Sequence, residues 1–315
     1  MPFVLAVAGC AGDGDSTATV TVTAGASTSA TATTLATIDP TAERGKVEAI
    51  DGLSGYAQQL AQQGTIRIGV KYDAPGLGYL SNGASAPSGF EIEVAKILAG
   101  GLGISPDKIQ WVQTVTSTRE QALTSNTADL VIATYSMTRE REQQVGMAGP
   151  YYITGAQLLV RAADQAMLAS VTPGPNGNPR LRSLPASLDG RICTTTTSTT
   201  ANVIVHEFKL TPVLKESFAE CVSALQQGTV DALATDGVIE LGYAAASGGS
   251  LKVIGDPWTE EKYGVGYAKG LAGMCDYIQK TLLRAYKDGS WLAAFEDTLG
   301  QSGADSPEPP AFEPC

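Results

Sequence analysis

The sequence predicts an α/β protein of two lobes with a ligand cleft between them. Three observations carry that prediction. Strand and helix patterns alternate from Thr65 onward, the arrangement that builds a layered α/β sheet. The same alternation restarts after a Pro/Gly/Asn-rich stretch at residues 172–179. The two halves also echo each other: Leu123-Thr-Ser-Asn-Thr-Ala-Asp-Leu-Val-Ile-Ala in the first matches Leu225-Gln-Gln-Gly-Thr-Val-Asp-Ala-Leu-Ala in the second. With 315 residues the chain is long enough for about two domains. Clefts between such lobes are favoured ligand sites.

The elements follow in order. Ile66-Arg-Ile-Gly-Val70 alternates apolar and polar residues and reads as a strand. Residues 71–78 form a Gly/Pro loop. Phe90, Ile92, Val94, Ala95, Ile97 and Leu98 recur at helical spacing, with Glu91 and Glu93 in the first turn, where the helix dipole favours acids. Gly100 and Gly101 are expected to end that helix. Residues 109–112 read as a strand, 119–123 as a short helix and 128–134 as a buried strand, giving a mostly parallel sheet. In the second half, 188–193 leads into a strand and 194–200 is a polar loop. Residues 202–208 and 220–227 are helical, and 229–236 is a strand.

Composition removes several function classes. The 21 basic and 32 acidic residues leave a net charge of −11, which disfavours nucleic acid as a partner. The single histidine, His206, argues against a histidine metal site or a histidine-based triad. His206 lies in a helical pattern and reads as a surface or packing residue. No glycine-rich phosphate motif follows a strand, and no run of 18 apolar residues exists to cross a membrane. No cofactor or metal is expected. Five cysteines, with no C-x-x-C among them, suit one special residue and two pairs.

Cys10 is the special one. The chain opens on an apolar stretch ending Val7-Ala8-Gly9-Cys10, which looks like a bacterial lipobox, although no Lys or Arg precedes it. Residues 11–40 are dominated by Thr, Ala, Ser and Gly and cannot bury enough apolar area to offset their ordering entropy. The expected organisation is a signal remnant at 1–10, with Cys10 lipidated, and a disordered tether and N-terminal helix at 11–63. The first lobe is built from 64–155 and 260–315, and the second from 156–259. Such a chain would lie outside the cytoplasm, anchored to the cell membrane, where disulfides persist.

One resemblance becomes specific. Gly89-Phe-Glu-Ile-Glu-Val-Ala-Lys96, Ala133-Thr-Tyr-Ser-Met-Thr-Arg-Glu-Arg141, Gly149-Pro-Tyr-Tyr152 with Gln157-Leu-Leu-Val160, and Val230-Asp-Ala-Leu-Ala-Thr-Asp236 with Lys262-Tyr-Gly-Val-Gly-Tyr267 resemble, in order, the family 3 solute-binding proteins. These are the polar amino-acid receptors of ABC importers. The resemblance runs from residue 65 to about 297, and residues 71–78 with 133–136 are similar to the actinobacterial glutamate/glutamine-binding lipoproteins. It implies a periplasmic-binding-protein type II fold, a binding protein rather than an enzyme, and a monomer that hands a free amino acid to a membrane permease.

The resemblance also implies a ligand set. A free amino acid presents a carboxylate and an ammonium, so its receptor needs a bidentate cation and an anion. Arg141 falls where the family places its carboxylate fork, and Asp236 where it binds the ammonium. Thr134 and Ser136 match positions that add backbone and hydroxyl bonds. Ser198 and Thr199 match the second-lobe Gly-Ser-Thr loop, with Thr197 in place of the glycine, so a left-handed backbone there would be strained. Lys71 and Arg119 stand where acidic-amino-acid receptors contact the side-chain carboxylate, and Asp73 lies beside them. Three cations against Asp236 favour glutamate or aspartate over glutamine or asparagine. A bridge between Cys193 and Cys221 would lie inside the second lobe, and one between Cys275 and Cys315 would tie the C-terminal extension to the first. Two other readings use the same fold: an amino-acid sensor feeding a membrane signalling partner, and an enzyme such as a dehydratase, with Glu91 or Asp73 as its base.

Overall fold

The computed structural model describes residues 46–165 and 184–315. The expected signal segment, Cys10, the tether up to residue 45 and the stretch at 172–179 lie outside the described residues. Two five-stranded sheets form the two lobes. In the first lobe β1 (Ile66–Val70) runs parallel to β4 (Ile109–Gln113) and to β5 (Leu130–Ile132). β12 (Glu261–Ala268) and β6 (Val145–Thr154) complete the sheet, in the order β4-β1-β5-β12-β6. In the second lobe β7 (Ala156–Arg161), β8 (Ile192–Thr195), β9 (Val213–Lys215), β10 (Ala232–Asp236) and β11 (Leu251–Ile254) are ordered β11-β7-β10-β8-β9. A two-residue pair, β2 (Asp73–Ala74) with β3 (Gly78–Tyr79), stands apart.

Each sheet is mixed rather than mostly parallel. β12 is antiparallel to both β5 and β6, and β7 is antiparallel to both β10 and β11. The reason is the connectivity. The chain crosses between lobes twice, from β6 into β7 and from β11 into β12, and the crossing strands pair against the local parallel direction. The crossing is tightly packed. A side chain on Gly155 would put its Cβ 2.1 Å from the Thr259 carbonyl, while Trp258 N–H donates to Ala156 O at 3.0 Å.

Nine α-helices of the described residues flank these sheets: α1 (Gly55–Gln63), α2 (Phe90–Gly101), α3 (Arg119–Thr124), α4 (Arg139–Glu142), α5 (Thr199–His206), α6 (Phe218–Gln226), α7 (Gly237–Ala246), α8 (Met274–Asp288) and α9 (Ser290–Glu296). α2 is the core of the first lobe. Phe90 meets Tyr152, Trp291 and Phe295 at ring-centroid distances of 5.7, 6.0 and 5.8 Å. Burying one such side chain contributes about 1.5–3 kcal/mol. As expected, α2 ends at Gly101, with Leu102 at its C-cap. The glycines also allow close approach: a Cβ on Gly100 would sit 2.4 Å from Lys46 O, and one on Gly101 would sit 2.6 Å from Thr281 Oγ1.

Both described ends fasten to the first lobe. Ile50 N–H donates to Gly101 O and Tyr56 N–H to Ala272 O, each at 2.9 Å. At the other end Cys315 is disulfide-bonded to Cys275 on α8, Glu313 N–H donates to Gly149 O at 2.8 Å, and Phe312 stacks on Tyr286. A second disulfide, Cys193–Cys221, joins β8 to α6 within the second lobe. No helix of the described residues is long and apolar enough to cross a membrane.

Candidate functional site

The lobes meet over a nearly closed cavity of about 10 Å³, room for about one water molecule. Strand ends and helix starts supply its walls. From the first lobe, β5 leads into Thr134 and Ser136, and the turn before α3 brings Thr116 and Arg119. From the second, β8 and the start of α5 bring Thr195, Ser198, Thr199 and Thr200, and β10 ends on Thr235 and Asp236.

The Arg141 guanidinium is held on three sides. Nε pairs with Glu120 at 3.2 Å, Nη1 donates to Ser136 O at 2.7 Å, and Nη2 reaches across the cleft to Thr197 O at 3.4 Å. Its backbone is set by Thr138, whose side chain accepts from Arg141 N–H as the N-cap of α4. Facing it is the N-terminus of α5, capped by Ser198 Oγ accepting from Ala201 N–H at 3.0 Å. The first-turn amides of such a helix have no intrahelical acceptor and favour an anion.

The threonine run 194–200 is therefore not a loop throughout. β8 carries Thr194 and Thr195, Thr196 and Thr197 make the turn, and α5 starts at Thr199. Thr197 turns left-handed, with φ +58°. That conformation strains a β-branched residue by about 1–3 kcal/mol. Its side chain is exposed and its function here is its carbonyl. Thr197→Gly is expected to raise stability by about 1 kcal/mol in urea unfolding, the relief of strain exceeding glycine's entropic cost. A loss of stability would show the backbone to be unstrained.

Asp236 lies at the N-cap position of α7, but its side chain makes no cap bond. Instead it accepts from the Tyr263 hydroxyl at 2.5 Å, across the lobe boundary. Burial raises its pKa far above the usual carboxylate range, the Glu261 charge adds to this, and Tyr263, Arg119 and Arg141 oppose it.

Arg119 is almost wholly buried. Nε donates to Thr116 O at 3.2 Å, and Nη1 to Ala133 O at 2.9 Å and Thr134 O at 2.5 Å. Tyr135 lies under it, 4.7 Å from guanidinium carbon to ring centroid. Burial, then repulsion from Arg141, lowers its pKa to about 10, so it stays charged at neutral pH. Its carbonyl partners are presented by Thr134, which is left-handed at φ +46° and held there by Glu91 Oε1 accepting from Thr134 N–H at 2.5 Å. Glu91, fully buried, also accepts from Tyr151, and burial raises its pKa. The residue is thus enclosed behind the wall.

Two expected ligand residues sit elsewhere. Lys71 is fully buried behind Thr116 and Phe218, its Nζ donating to Thr116 Oγ1 at 2.8 Å and lying 4.7 Å from the Phe218 ring centroid. Burial, with Arg119 nearby, lowers its pKa to about 7. Asp73 does not line the cavity. Its carboxylate accepts from Phe218 N–H at 2.8 Å, where α6 begins, and its carbonyl accepts from Tyr243 on α7. Asp73 thus latches the β2 segment to the second lobe, assisted by Ser117 donating to Glu216 at 2.7 Å. Sequence reasoning missed Thr116, Thr195, Thr200, Phe218 and Thr235 on the wall. Only their placement beside Arg119, Ser198 and Asp236 could have signalled them. His206 is exposed at the end of α5.

Residues 66–301 match the family described as bacterial extracellular solute-binding proteins, family 3. The chain belongs to that family. Among its relatives, the glutamate-binding protein GluB of Corynebacterium efficiens is 32% identical over 268 residues, covering 82% of this chain and 85% of the relative. The glutamine-binding protein GlnH of an ABC transporter of Bacillus subtilis is 27% identical, covering 76% and 83%. A solved cysteine-binding protein from Campylobacter jejuni superposes with a TM-score of 0.68 at 20% identity, covering 81% of this chain and 97% of that one, and establishes the fold alone. This family 3 chain has the two-lobed type II fold, and its relatives are named as binding proteins.

Proposed function

We propose that the protein binds a free acidic amino acid, glutamate or aspartate, by closure of its lobes and delivers it to an ABC permease, held at the membrane through a lipidated Cys10. One observation supports the ligand class: the cavity wall carries Arg141 beside the start of α5, the buried carboxylate of Asp236 and a second buried cation, Arg119, to which we assign the α-carboxylate, the ammonium and the side-chain carboxylate in turn. An amino acid with two carboxylates and one ammonium matches that set. The names of the corynebacterial and Bacillus relatives support glutamate and its amide as the chemical neighbourhood.

The test is a thermal-shift panel of the twenty amino acids on protein stripped of ligand by unfolding and refolding, followed by calorimetry. Ligand at about 100 times its dissociation constant adds about 2.7 kcal/mol, a shift of several degrees. Glutamate or aspartate is expected to give the largest shift. Arg119→Met is then expected to weaken glutamate about tenfold more than glutamine, because only glutamate loses a charge partner. A shift with glutamine alone, or equal losses for both ligands, would end the acidic assignment. No shift with any amino acid would end the receptor reading.

A further inference from the structure

Two fully buried acids stand behind the cavity wall, one in each lobe. In the first lobe Glu91 Oε1 accepts from Thr134 N–H, just past the end of β5. In the second, Glu240, in the first turn of α7, accepts through Oε1 from Thr235 N–H at 3.1 Å. In both acids Oε2 is buried with no hydrogen-bond partner among the described residues. The second-lobe contact fills a gap in the sheet. β8 pairs with β10 only at Ala232 and Leu233, so Thr235 N–H lies beyond that ladder, and Glu240 supplies its acceptor. Thr235 lines the cavity, and Asp236 follows it. The Asp236 carboxylate takes its bond from Tyr263, on the other lobe, and makes no cap bond to its own helix. Within the second lobe its direction is therefore set by the backbone at the end of β10. Burial pushes the Glu240 pKa well above the usual carboxylate range; the N–H groups of Thr235 and Leu159 oppose this, and the Asp236 charge adds to it. The uncharged acid is favoured, and its carbonyl oxygen can hold an N–H beside Asp236 without competing for an ammonium.

We propose that Glu240 is a positioning residue for ligand binding: by holding Thr235 N–H it fixes the end of β10, so that the Asp236 carboxylate is presented to the ligand's ammonium. The proposal rests on the amino-acid-receptor reading and adds to it a residue that never touches ligand. The hold has defined chemical needs. It requires an acceptor oxygen at the end of a side chain long enough to reach back from α7 to β10. Glutamine meets both needs, leucine offers no acceptor, and aspartate is one methylene short. Every amino acid carries the ammonium, so loss of the hold acts on all ligands alike, unlike a change at Arg119.

The experiment titrates the full chain, stripped of ligand, with L-glutamate and with L-glutamine. Glu240→Leu is expected to weaken both ligands about tenfold, the order of one hydrogen bond, and by similar factors. Glu240→Gln is expected to rescue both to within about threefold of the parent. Parental affinity in Glu240→Leu, no rescue in Glu240→Gln, or a loss confined to glutamate would each overturn the proposal. If Glu240→Leu does not fold, Glu240→Asp asks the same question: it keeps the acid and loses the reach, and parental affinity in it overturns the proposal. Amide hydrogen exchange at Thr235 in the ligand-free protein reads the hold without any ligand. It is expected to quicken at least about tenfold in Glu240→Asp and to stay near the parent's rate in Glu240→Gln. An unchanged rate in Glu240→Asp overturns the proposal. A parent protein that binds no amino acid would overturn the receptor reading itself, an outcome distinct from a parent that binds and a variant that does not differ.

Discussion

Replacing Arg141 by alanine is expected to lower the affinity for every amino acid by about 10²- to 10³-fold, whatever the side chain. Removing one member of a buried, hydrogen-bonded charge pair costs about 2–5 kcal/mol, much of it from the charge left without a partner. The geometry explains why no neighbour can substitute. Arg119 already commits Nε and Nη1 to three carbonyls, and Lys71 is turned away behind Thr116. Arg141→Lys should recover only part of the loss, since an ammonium cannot hold Glu120, Ser136 O and a carboxylate with one planar fork. The fold itself should be little affected, because Glu120, the partner left behind, is partly exposed. Calorimetry with glutamate, glutamine and aspartate checks the point. A variant that still binds one of them within tenfold of the parent would remove Arg141 from the carboxylate role.

Asp236→Asn is expected to lose at least about 100-fold in affinity and yet to make the ligand-free protein more stable. The two signs come from one cause. The folded pKa of Asp236 lies above its unfolded value because the carboxylate is buried and faces Glu261, with Tyr263, Arg119 and Arg141 only partly compensating. Between those two values the folded chain holds more protons than the unfolded chain, so its stability falls as pH rises through that window. Asparagine keeps the size, can still accept from Tyr263 and removes the cost of ionising. The ligand's ammonium works in the opposite sense, favouring the carboxylate. Affinity is therefore expected to rise with pH through the same window and to level off above it, with proton release on binding. Calorimetry in two buffers of different ionisation heat measures that release directly. An affinity that is flat between about pH 5 and about pH 8, with no proton released, would show that Asp236 is ionised before ligand arrives.

The sequence was most informative where function is written into local motifs. Arg141, three residues after Thr138, and Asp236, at the end of a second-lobe strand, could be named through the family resemblance, and both line the cavity. The substitution at Thr197 foretold a strained turn, and φ there is +58°. What could not be read were long-range side-chain commitments. Lys71 and Asp73 lie two residues apart on one segment, yet one turns inward to Thr116 and the other outward to the start of α6. Charge and spacing are the same for either outcome, and only the position of the second lobe decides. Gly100 and Gly101 end α2 where the sequence indicated. Their close approach to Lys46 and Thr281, distant in sequence, could not be read.

The described chain enters along the first lobe, at Ile50 and Tyr56, and leaves along it, through Glu313 and Cys315. The second lobe is thus an excursion between two crossing strands. Tension applied between these two ends loads only the first lobe and its Cys275–Cys315 staple, and exerts no pull that would pry the cleft apart. A surface attachment through either end would likewise leave the second lobe free to swing, so immobilisation and single-molecule formats can report closure without opposing it.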